Sequence, residues 1–231
     1  MKRMIIVSLI LMGCTTRPEN QILNENQTPL PQIYKFVGER TFLIIASSSK
    51  EEGPGSIPYG FGNAFLVDAN LLITARHIIY NERLANPTIN IRTHAGNVVQ
   101  AKVVKTDEES DLALLAAPVA GKILALRNLT QTDTQAYIVG LHLMNLYNML
   151  QAASFVHESR VIISTDDASP RILLTGAISP GMSGSPLLDE NANVVGILTS
   201  AIPNTPFIFA IKSDRIKNLV DGYRGGKSVK N

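Results

Sequence analysis

The segment Gly181-Met-Ser-Gly-Ser-Pro186 places a serine between two glycines, and two earlier segments complete the pattern that decides the fold. His77 closely follows the apolar run Leu71-Leu-Ile-Thr-Ala75, and Asp111 opens the run Asp111-Leu-Ala-Leu-Leu115. A serine hydroxyl is a poor nucleophile near neutral pH, so it needs a base, and the base needs a partner that sets its tautomer. Histidine, aspartate, serine is one of the few chain orders in which these roles occur. The sequence therefore indicates a hydrolytic site built on Ser183.

At these segments the chain resembles the chymotrypsin-fold, or trypsin-like, serine proteases, and most closely their bacterial Deg/HtrA-like branch. The resemblance extends from about Gly62 to Ile211. The separations of 34 residues from His77 to Asp111 and 72 residues from Asp111 to Ser183 are similar to those of that branch. The stretches that carry the resemblance are Gly62-Asn-Ala-Phe-Leu-Val-Asp68, Thr74-Ala-Arg-His77, Asp107-Glu-Glu-Ser-Asp-Leu-Ala-Leu-Leu115, Gly181-Met-Ser-Gly-Ser-Pro-Leu-Leu188 and Val194-Val-Gly-Ile197.

The resemblance implies a role for each residue of the site. His77 would be the general base, Asp111 would accept a hydrogen bond from its ring, and Ser183 would attack the substrate carbonyl. The backbone N–H groups of Gly181 and Ser183 would form the oxyanion hole. Asp107 is the alternative acid. The alternative bases are the remaining histidines, His94, His142 and His157.

A primary specificity pocket is also implied by the resemblance. Ala177, six residues before Ser183, would lie at its base, and Thr199 would hydrogen-bond near Asp111. Because Ala177 carries no carboxylate, we expect no selectivity for arginine or lysine. A shallow pocket favours small to medium apolar side chains before the scissile bond, with modest discrimination among them. The wall beside the bound peptide would be formed by Thr199, Ser200 and Ala201.

Short β segments separated by turn residues dominate the chain after Tyr34. Such a pattern favours a barrel or a sandwich. The resemblance selects an all-β fold for a protease domain at 33–223, with two six-stranded antiparallel β-barrels at about 33–118 and 128–211. Residues 213–223 predict a C-terminal helix with Ser213 as its N-cap and apolar residues on one face. The predicted strands are residues 41–46, 61–67, 71–74, 98–104, 112–116, 136–139, 161–163, 172–174, 194–199 and 207–211.

Only a short tail, 224–231, follows the predicted helix. We therefore expect no peptide-binding PDZ module of the kind that many Deg-type proteases carry.

The first residues have the pattern of a targeting segment. Lys2 and Arg3 precede an apolar stretch, 4–12, that is far shorter than the ~20 residues needed to span a bilayer. The stretch ends in Leu11-Met-Gly-Cys14, which resembles a bacterial lipobox, so we predict a lipoprotein signal peptide at 1–13 and lipidation of Cys14. The polar, proline-containing residues 14–32 are expected to form a flexible tether. The alternative is an ordinary secretory signal with a chance cysteine.

The net charge and the cysteine count reduce the number of functions and covalent links that fit this sequence. Lys2 and Arg3 account for the formal net charge of +2, so the rest of the chain is neutral and nucleic acid is not expected as a partner. Cys14 is the only cysteine in the 231 residues, so a disulfide cannot form among them. No cofactor and no metal ion are expected.

The sequence thus predicts a membrane-tethered serine endopeptidase that hydrolyses protein or peptide substrates through an acyl-enzyme. It would be anchored by lipid at Cys14 in the bacterial cell envelope, facing the periplasm or the exterior. Two alternatives remain open: a catalytically silent protein of the same fold that binds peptides or a partner protein, and an esterase with the same triad.

Overall fold

The computed structural model describes residues 40–47, 60–80, 87–93, 96–130, 133–146, 149–163 and 169–228. The predicted signal peptide, the tether, the lipidation site Cys14 and His94 lie outside these residues. Within the described ranges, no helix is both long and apolar enough to cross a membrane.

Two closed six-stranded antiparallel barrels make up the fold, as predicted. The first has the strand order β1-β2-β3-β6-β5-β4, and the second has the order β10-β11-β12-β9-β8-β7. The strands of the first barrel are β1 (Thr41–Ser47), β2 (Gly60–Asp68), β3 (Leu71–Ala75), β4 (Thr88–Arg92), β5 (Val98–Asp107) and β6 (Leu112–Ala116). Those of the second are β7 (Gln135–Leu146), β8 (Met149–Ile163), β9 (Arg171–Thr175), β10 (Pro186–Leu188), β11 (Val194–Ala201) and β12 (Phe207–Lys212).

The continuous apolar sequences of β3 and β6 are explained by burial of both faces of these strands. Leu72 pairs with Leu115 and packs in the interior of the first barrel. Ile73 pairs with Leu114 on the opposite face and packs against residues of the second barrel. A strand buried on both sides has no polar alternation, so its sequence is a run of aliphatic residues. These two strands therefore form the layer that separates the interior of the first barrel from the second barrel. The residues that follow β3 and those that precede β6 lie at the junction of the barrels.

A shared apolar cluster joins the barrels to each other and to the C-terminal helix. It contains Phe65 from β2, Val139 from β7 and Ile197 from β11, each exposed by 1% or less. Burial of such large aliphatic and aromatic side chains contributes roughly 1.5–3 kcal/mol each. The second barrel also has its own core, which includes Ile138, Ile172 and Leu198.

The C-terminal helix, α1 (Ser213–Ser228), is longer than the predicted 213–223. Its predicted apolar face is confirmed: Ile216, Leu219 and Val220 are buried, and Tyr223 packs against the same cluster. The predicted N-cap role of Ser213 is wrong. Ser213 is itself the first helical residue, and its buried hydroxyl donates to the carbonyl oxygen of Arg127 at 2.7 Å. This hydrogen bond ties the helix to the segment between the barrels.

Two strands, β4 and β10, were not predicted, and β7 and β8 are far longer than predicted. β4 alternates buried Ile89 and Ile91 with more exposed neighbours, a pattern typical of a strand covered on one side. β10 has only three residues and is held by pairing with β7 and β11. β7 and β8 form a long hairpin in register from Gln135 opposite Arg160 to Leu146 opposite Met149. Local sequence carries little information about the pairing of β10 with the distant strand β7.

Candidate active site

The position of His77 follows from the register between β3 and β6. β3 ends at Ala75, and a single 3₁₀ turn, Arg76–Ile78, carries His77 away from the sheet. Ala75 pairs with Leu112, so the residue before β6 lies beside the residues after β3. The Arg76 N–H donates to the Asp111 carbonyl oxygen at 2.8 Å, which extends the ladder by one step. His77 and Asp111 are thus neighbours because of strand pairing.

The Asp111 carboxylate contacts His77 through both of its oxygens. Oδ2 lies 2.7 Å from His77 Nδ1, and Oδ1 accepts the backbone N–H of His77 at 2.9 Å. A carboxylate can only accept, so Nδ1 carries a proton and the lone pair of the neutral ring is on Nε2. Asp111 has a left-handed φ of 54°, a conformation that aspartate and asparagine tolerate better than most residues. The pair is partly open to solvent, with 44% and 34% of the side chains exposed.

Ser183 lies on the loop between β9 and β10, and two glycines shape this loop. Gly181 has φ 92° and Gly184 has φ 81°, values that residues with a side chain rarely adopt. A Cβ on Gly181 would lie 2.5 Å from Cε2 of Phe61, and one on Gly184 would overlap the carbonyl oxygen of Asn63. Both glycines are therefore required by backbone conformation and by close packing against β2.

Backbone hydrogen bonds attach this loop to both barrels. The Asn63 N–H of the first barrel donates to the Ser183 carbonyl oxygen at 2.7 Å, and the Gly184 N–H donates to the Leu198 carbonyl oxygen at 2.8 Å. The Ser183 hydroxyl donates to the carbonyl oxygen of Thr199 at 3.3 Å. Among the described residues, the backbone N–H groups of Gly181 and Ser183 have no protein acceptor. These two donors are available to an oxygen atom of a ligand.

A cavity of about 240 Å³ opens next to Ser183. Two of the four residues predicted for the pocket, Ser200 and Ala201, line it. Its other lining residues are Ile178, Ser179, Pro180, Gly181, Met182, Ser183 and Leu198, so none of the described lining residues is charged.

Ala177 and Thr199 are not among the lining residues of this cavity. The register of β9 with β12 ends at Thr175. Beyond it Ala177 is exposed, whereas Ile178 lines the cavity. The hydroxyl of Thr199 donates to the Phe209 carbonyl oxygen at 3.5 Å and not to Asp111.

The alternative acid and bases occupy other positions. Asp107 Oδ1 accepts the backbone N–H of Ser110 at 3.2 Å and so supports the turn that leads to Asp111. His142 and His157 lie on β7 and β8, with ring centroids 6.3 Å and 5.5 Å from that of Phe155. Neither histidine has an aspartate or glutamate partner within the described part of the chain.

Asn63 is a site residue that the sequence reasoning missed. It is fully buried in β2 and its side chain contacts the nucleophile loop. The available signal was a single carboxamide inside the otherwise apolar stretch Gly62-Asn-Ala-Phe-Leu-Val67. A buried amide requires hydrogen-bonding partners, and here they come from distant segments.

Two closed six-stranded barrels with a histidine–aspartate pair and a serine loop at their junction define the chymotrypsin-fold class. The family described as trypsin-like peptidase domain matches residues 62–197, and the chain belongs to this family.

Relatives of this chain are named as serine proteases. It is 25% identical over 209 residues to a probable periplasmic serine endoprotease, DegP-like, of Rickettsia conorii, covering 86% of this chain and 40% of the relative. It is 27% identical over 187 residues to the putative serine protease HhoA of Synechocystis, covering 74% and 44%. It is 25% identical over 170 residues to the periplasmic serine endoprotease DegP of Escherichia coli, covering 68% and 34%. The chain therefore spans about two fifths of the length of these relatives, and its similarity to the Deg/HtrA-like branch is confirmed.

Proposed function

We propose that this protein is a serine endopeptidase in which Ser183 is the nucleophile, His77 the general base and Asp111 the residue that orients the base. The observation that carries this proposal is the double contact of the Asp111 carboxylate with the ring and the backbone N–H of His77. This contact sets the tautomer that a base needs, and it stabilises the imidazolium once His77 has taken the Ser183 proton. Membership of a peptidase family supports the assignment.

The reaction would proceed through an acyl-enzyme. Ser183 Oγ attacks the scissile carbonyl as its proton passes to His77, and the carbonyl oxygen becomes an oxyanion. His77 then protonates the leaving amine, and a water molecule hydrolyses the ester with the same residue acting as base. The N–H groups of Gly181 and Ser183, which have no acceptor within the described ranges, would donate to the oxyanion. Losing one such donor typically costs about 3–4 kcal/mol of transition-state stabilisation.

The substrates are expected to be proteins or peptides with a small to medium apolar residue before the scissile bond. The cavity beside Ser183 supports this preference, since none of its described lining residues is charged and Ile178, Leu198 and Ala201 contribute apolar side chains. An arginine or lysine side chain would lose its hydration there without gaining a counter-charge.

Hydrolysis of a peptide panel that varies only the residue before the scissile bond tests this function. We expect cleavage after alanine, valine or leucine by the wild type, and none by Ser183→Ala. Rapid cleavage after arginine with apolar peptides untouched would contradict the proposed specificity.

A second candidate function is a catalytically silent peptide-binding protein. The hydrogen bond from the Ser183 hydroxyl to the Thr199 carbonyl oxygen favours it, because a hydroxyl that donates there does not donate to the base. Peptide binding without cleavage, equal for the wild type and Ser183→Ala, would support this candidate. An esterase acting through the same three residues would cleave ester substrates and leave the peptide panel intact.

The protein is proposed to be attached to a membrane of the bacterial cell envelope by lipid at Cys14. Support comes from the lipobox-like Leu11-Met-Gly-Cys14 after a short apolar stretch, and from relatives that are named as periplasmic. Multiple acyl chains on one residue would give stable anchoring, whereas one chain is marginal. In cell fractionation, the wild type should be recovered with membranes and Cys14→Ser in the soluble fraction. Equal distribution of the two would contradict the anchor.

A further inference from the structure

Asn63 is a fully buried carboxamide whose hydrogen-bonding atoms are all paired. Its exposed fraction is 0%. Nδ2 donates to the carbonyl oxygen of Leu141 at 3.0 Å and to that of Gly181 at 2.8 Å, while Oδ1 accepts the Leu141 N–H at 2.7 Å. Exchanging the nitrogen and the oxygen would set Oδ1 against two carbonyl oxygens, so chemistry allows one orientation of the amide.

The hydrogen bonds of Asn63 connect three segments that are remote in sequence. Asn63 belongs to β2 of the first barrel and Leu141 to β7 of the second, while Gly181 lies on the nucleophile loop. The main chain of Asn63 adds a fourth contact, because its N–H donates to the Ser183 carbonyl oxygen at 2.7 Å. One residue therefore holds the carbonyl groups on both sides of Met182, the residue that precedes the proposed nucleophile.

Gly181 is the residue of this loop whose conformation most needs such support. Glycine at φ 92° has no Cβ to restrict rotation of its peptide groups. The Phe61 ring occupies the place of a side chain on Gly181, but it forms no hydrogen bond. The bond from Asn63 Nδ2 sets the direction of the Gly181 carbonyl group and so of the peptide group between residues 181 and 182. This peptide group lies between the two peptide groups that carry the Gly181 and Ser183 N–H donors.

We propose that Asn63 is a positioning residue for the oxyanion hole: it holds the Gly181 carbonyl so that the Gly181 and Ser183 N–H groups keep one arrangement. The inference rests on the proposed function. A donor that must reorient during the reaction stabilises the oxyanion less than a preorganised donor. Asn63 would therefore affect the transition state more than substrate binding.

Asn63→Ala removes the side-chain bonds and retains the main-chain bond to Ser183. We expect kcat to fall about 10- to 100-fold with KM within about 2-fold of wild type. The affinity for a peptide boronate should fall by a similar factor, because its adduct with Ser183 places an oxygen atom at the oxyanion position. A matched control is Ser213→Ala, which removes another buried hydrogen bond from a side chain to a carbonyl. Its melting temperature should fall, while kcat and boronate affinity stay at wild-type values.

Asn63→Asp adds a pH-dependent test. Burial without a cation raises the pKa of a carboxyl group. The protonated acid retains one donor for a carbonyl oxygen, whereas the ionised form faces the Leu141 and Gly181 oxygens with none. We expect kcat of this variant to fall as pH rises through that pKa, in a range where wild-type kcat is flat.

Three outcomes would overturn the inference. If both Asn63 variants melt at lower temperature but keep wild-type kcat and boronate affinity, the residue is structural only. If Asn63→Ala does not fold, a pH profile of Asn63→Asp that matches wild type overturns it. If the wild type neither cleaves peptides nor reacts at Ser183, the proposed function and the inference fail together. In the first two outcomes the wild type is active, which distinguishes them from this one.

Discussion

In the first barrel His77 and Asp111 come together through strand register, whereas in the second barrel Ser183 lies on a loop whose shape depends on glycines and on contacts from outside the barrel. Ala75 opposite Leu112 is enough to bring the first pair within hydrogen-bonding distance. The serine loop instead needs positive φ at Gly181 and Gly184, and it needs Asn63 from the other barrel. The base and the acid are therefore positioned by the pairing of β3 with β6, while the nucleophile depends on the junction between the barrels.

The largest expected effect is on the first-barrel pair. Asp111→Asn should lower kcat by about ten-thousand-fold, because an amide in place of the carboxylate sets the wrong histidine tautomer. The fold should persist, since asparagine tolerates the φ of 54° at this position. Thermal unfolding and steady-state kinetics would check both points. Asp107→Asn is the matched control, and its kcat should stay within about 2-fold of wild type. A loss of kcat of about ten-thousand-fold in that variant, with activity retained by Asp111→Asn, would assign the role of the acid to Asp107.

On the second-barrel side, Gly184→Ala should disturb the nucleophile loop itself. The new Cβ would overlap the Asn63 carbonyl oxygen and lie 2.8 Å from Thr74 Oγ1, so the loop would have to move. We expect a loss of stability of about 3 kcal/mol or more and at least a hundred-fold loss of kcat.

The control for that substitution is Gly96→Ala, at φ 84° with no atom of the described part of the chain within 4 Å of the added Cβ. This substitution should lower the free energy of unfolding by only about 1–2 kcal/mol, the cost of a left-handed conformation for a residue with a Cβ, and it should leave kcat unchanged. Equal stability losses measured by denaturant unfolding would show that close packing at Gly184 is unimportant.

A smaller effect is expected in the cavity, which belongs to the second barrel. Ala201→Val adds two methyl groups to the lining and should reject larger side chains. The ratio of kcat/KM for leucine over alanine before the scissile bond should fall about 10-fold or more, since each methylene is worth ~1–3 kcal/mol. Both kcat/KM values of a ratio are measured with the same protein preparation, so differences in the folded fraction or in enzyme concentration cancel. An unchanged ratio would place the specificity pocket elsewhere.

The smallest effect concerns the contact of α1 with the first barrel. Arg224 Nη2 lies 2.5 Å from Asp68 Oδ2, and this hydrogen bond, together with the Ala69 N–H, lowers the pKa of Asp68. A lowered pKa stabilises the fold above the ordinary value of an aspartate, and the gain is lost as pH falls through the folded-state pKa. Arg224→Ala should lower Tm by about 1–2 °C at neutral pH, since exposed ion pairs contribute little. The difference in Tm should shrink as pH falls below the ordinary pKa of an aspartate and then through the lowered pKa of Asp68. A difference that stays constant would exclude the ion pair as its cause.

The difference between strand pairing in the first barrel and the loop in the second also explains how much of the fold and of the site could be predicted from the sequence. The aliphatic runs of β3 and β6 predict two strands, but the roles of His77 and Asp111 came from the chain order and the spacing shared with the family that the sequence resembles. The lining of the cavity depends on the path of the chain between Thr175 and Ser183. Ala177, which the resemblance places at the base of the specificity pocket, is not among the residues that line the cavity beside Ser183. Asn63 was missed because its partners at Leu141 and Gly181 are 78 and 118 residues away. Only folding of both barrels brings them together.

The most direct test of the proposed nucleophile is covalent labelling with a fluorophosphonate, followed by mapping of the modified residue by mass spectrometry. The wild type should carry the label on Ser183. Ser185→Ala should still be labelled, because the hydroxyl of Ser185 is fully buried, and Ser183→Ala should not. Absence of label on the wild type, or label retained by Ser183→Ala, would contradict the assignment of Ser183 as the nucleophile.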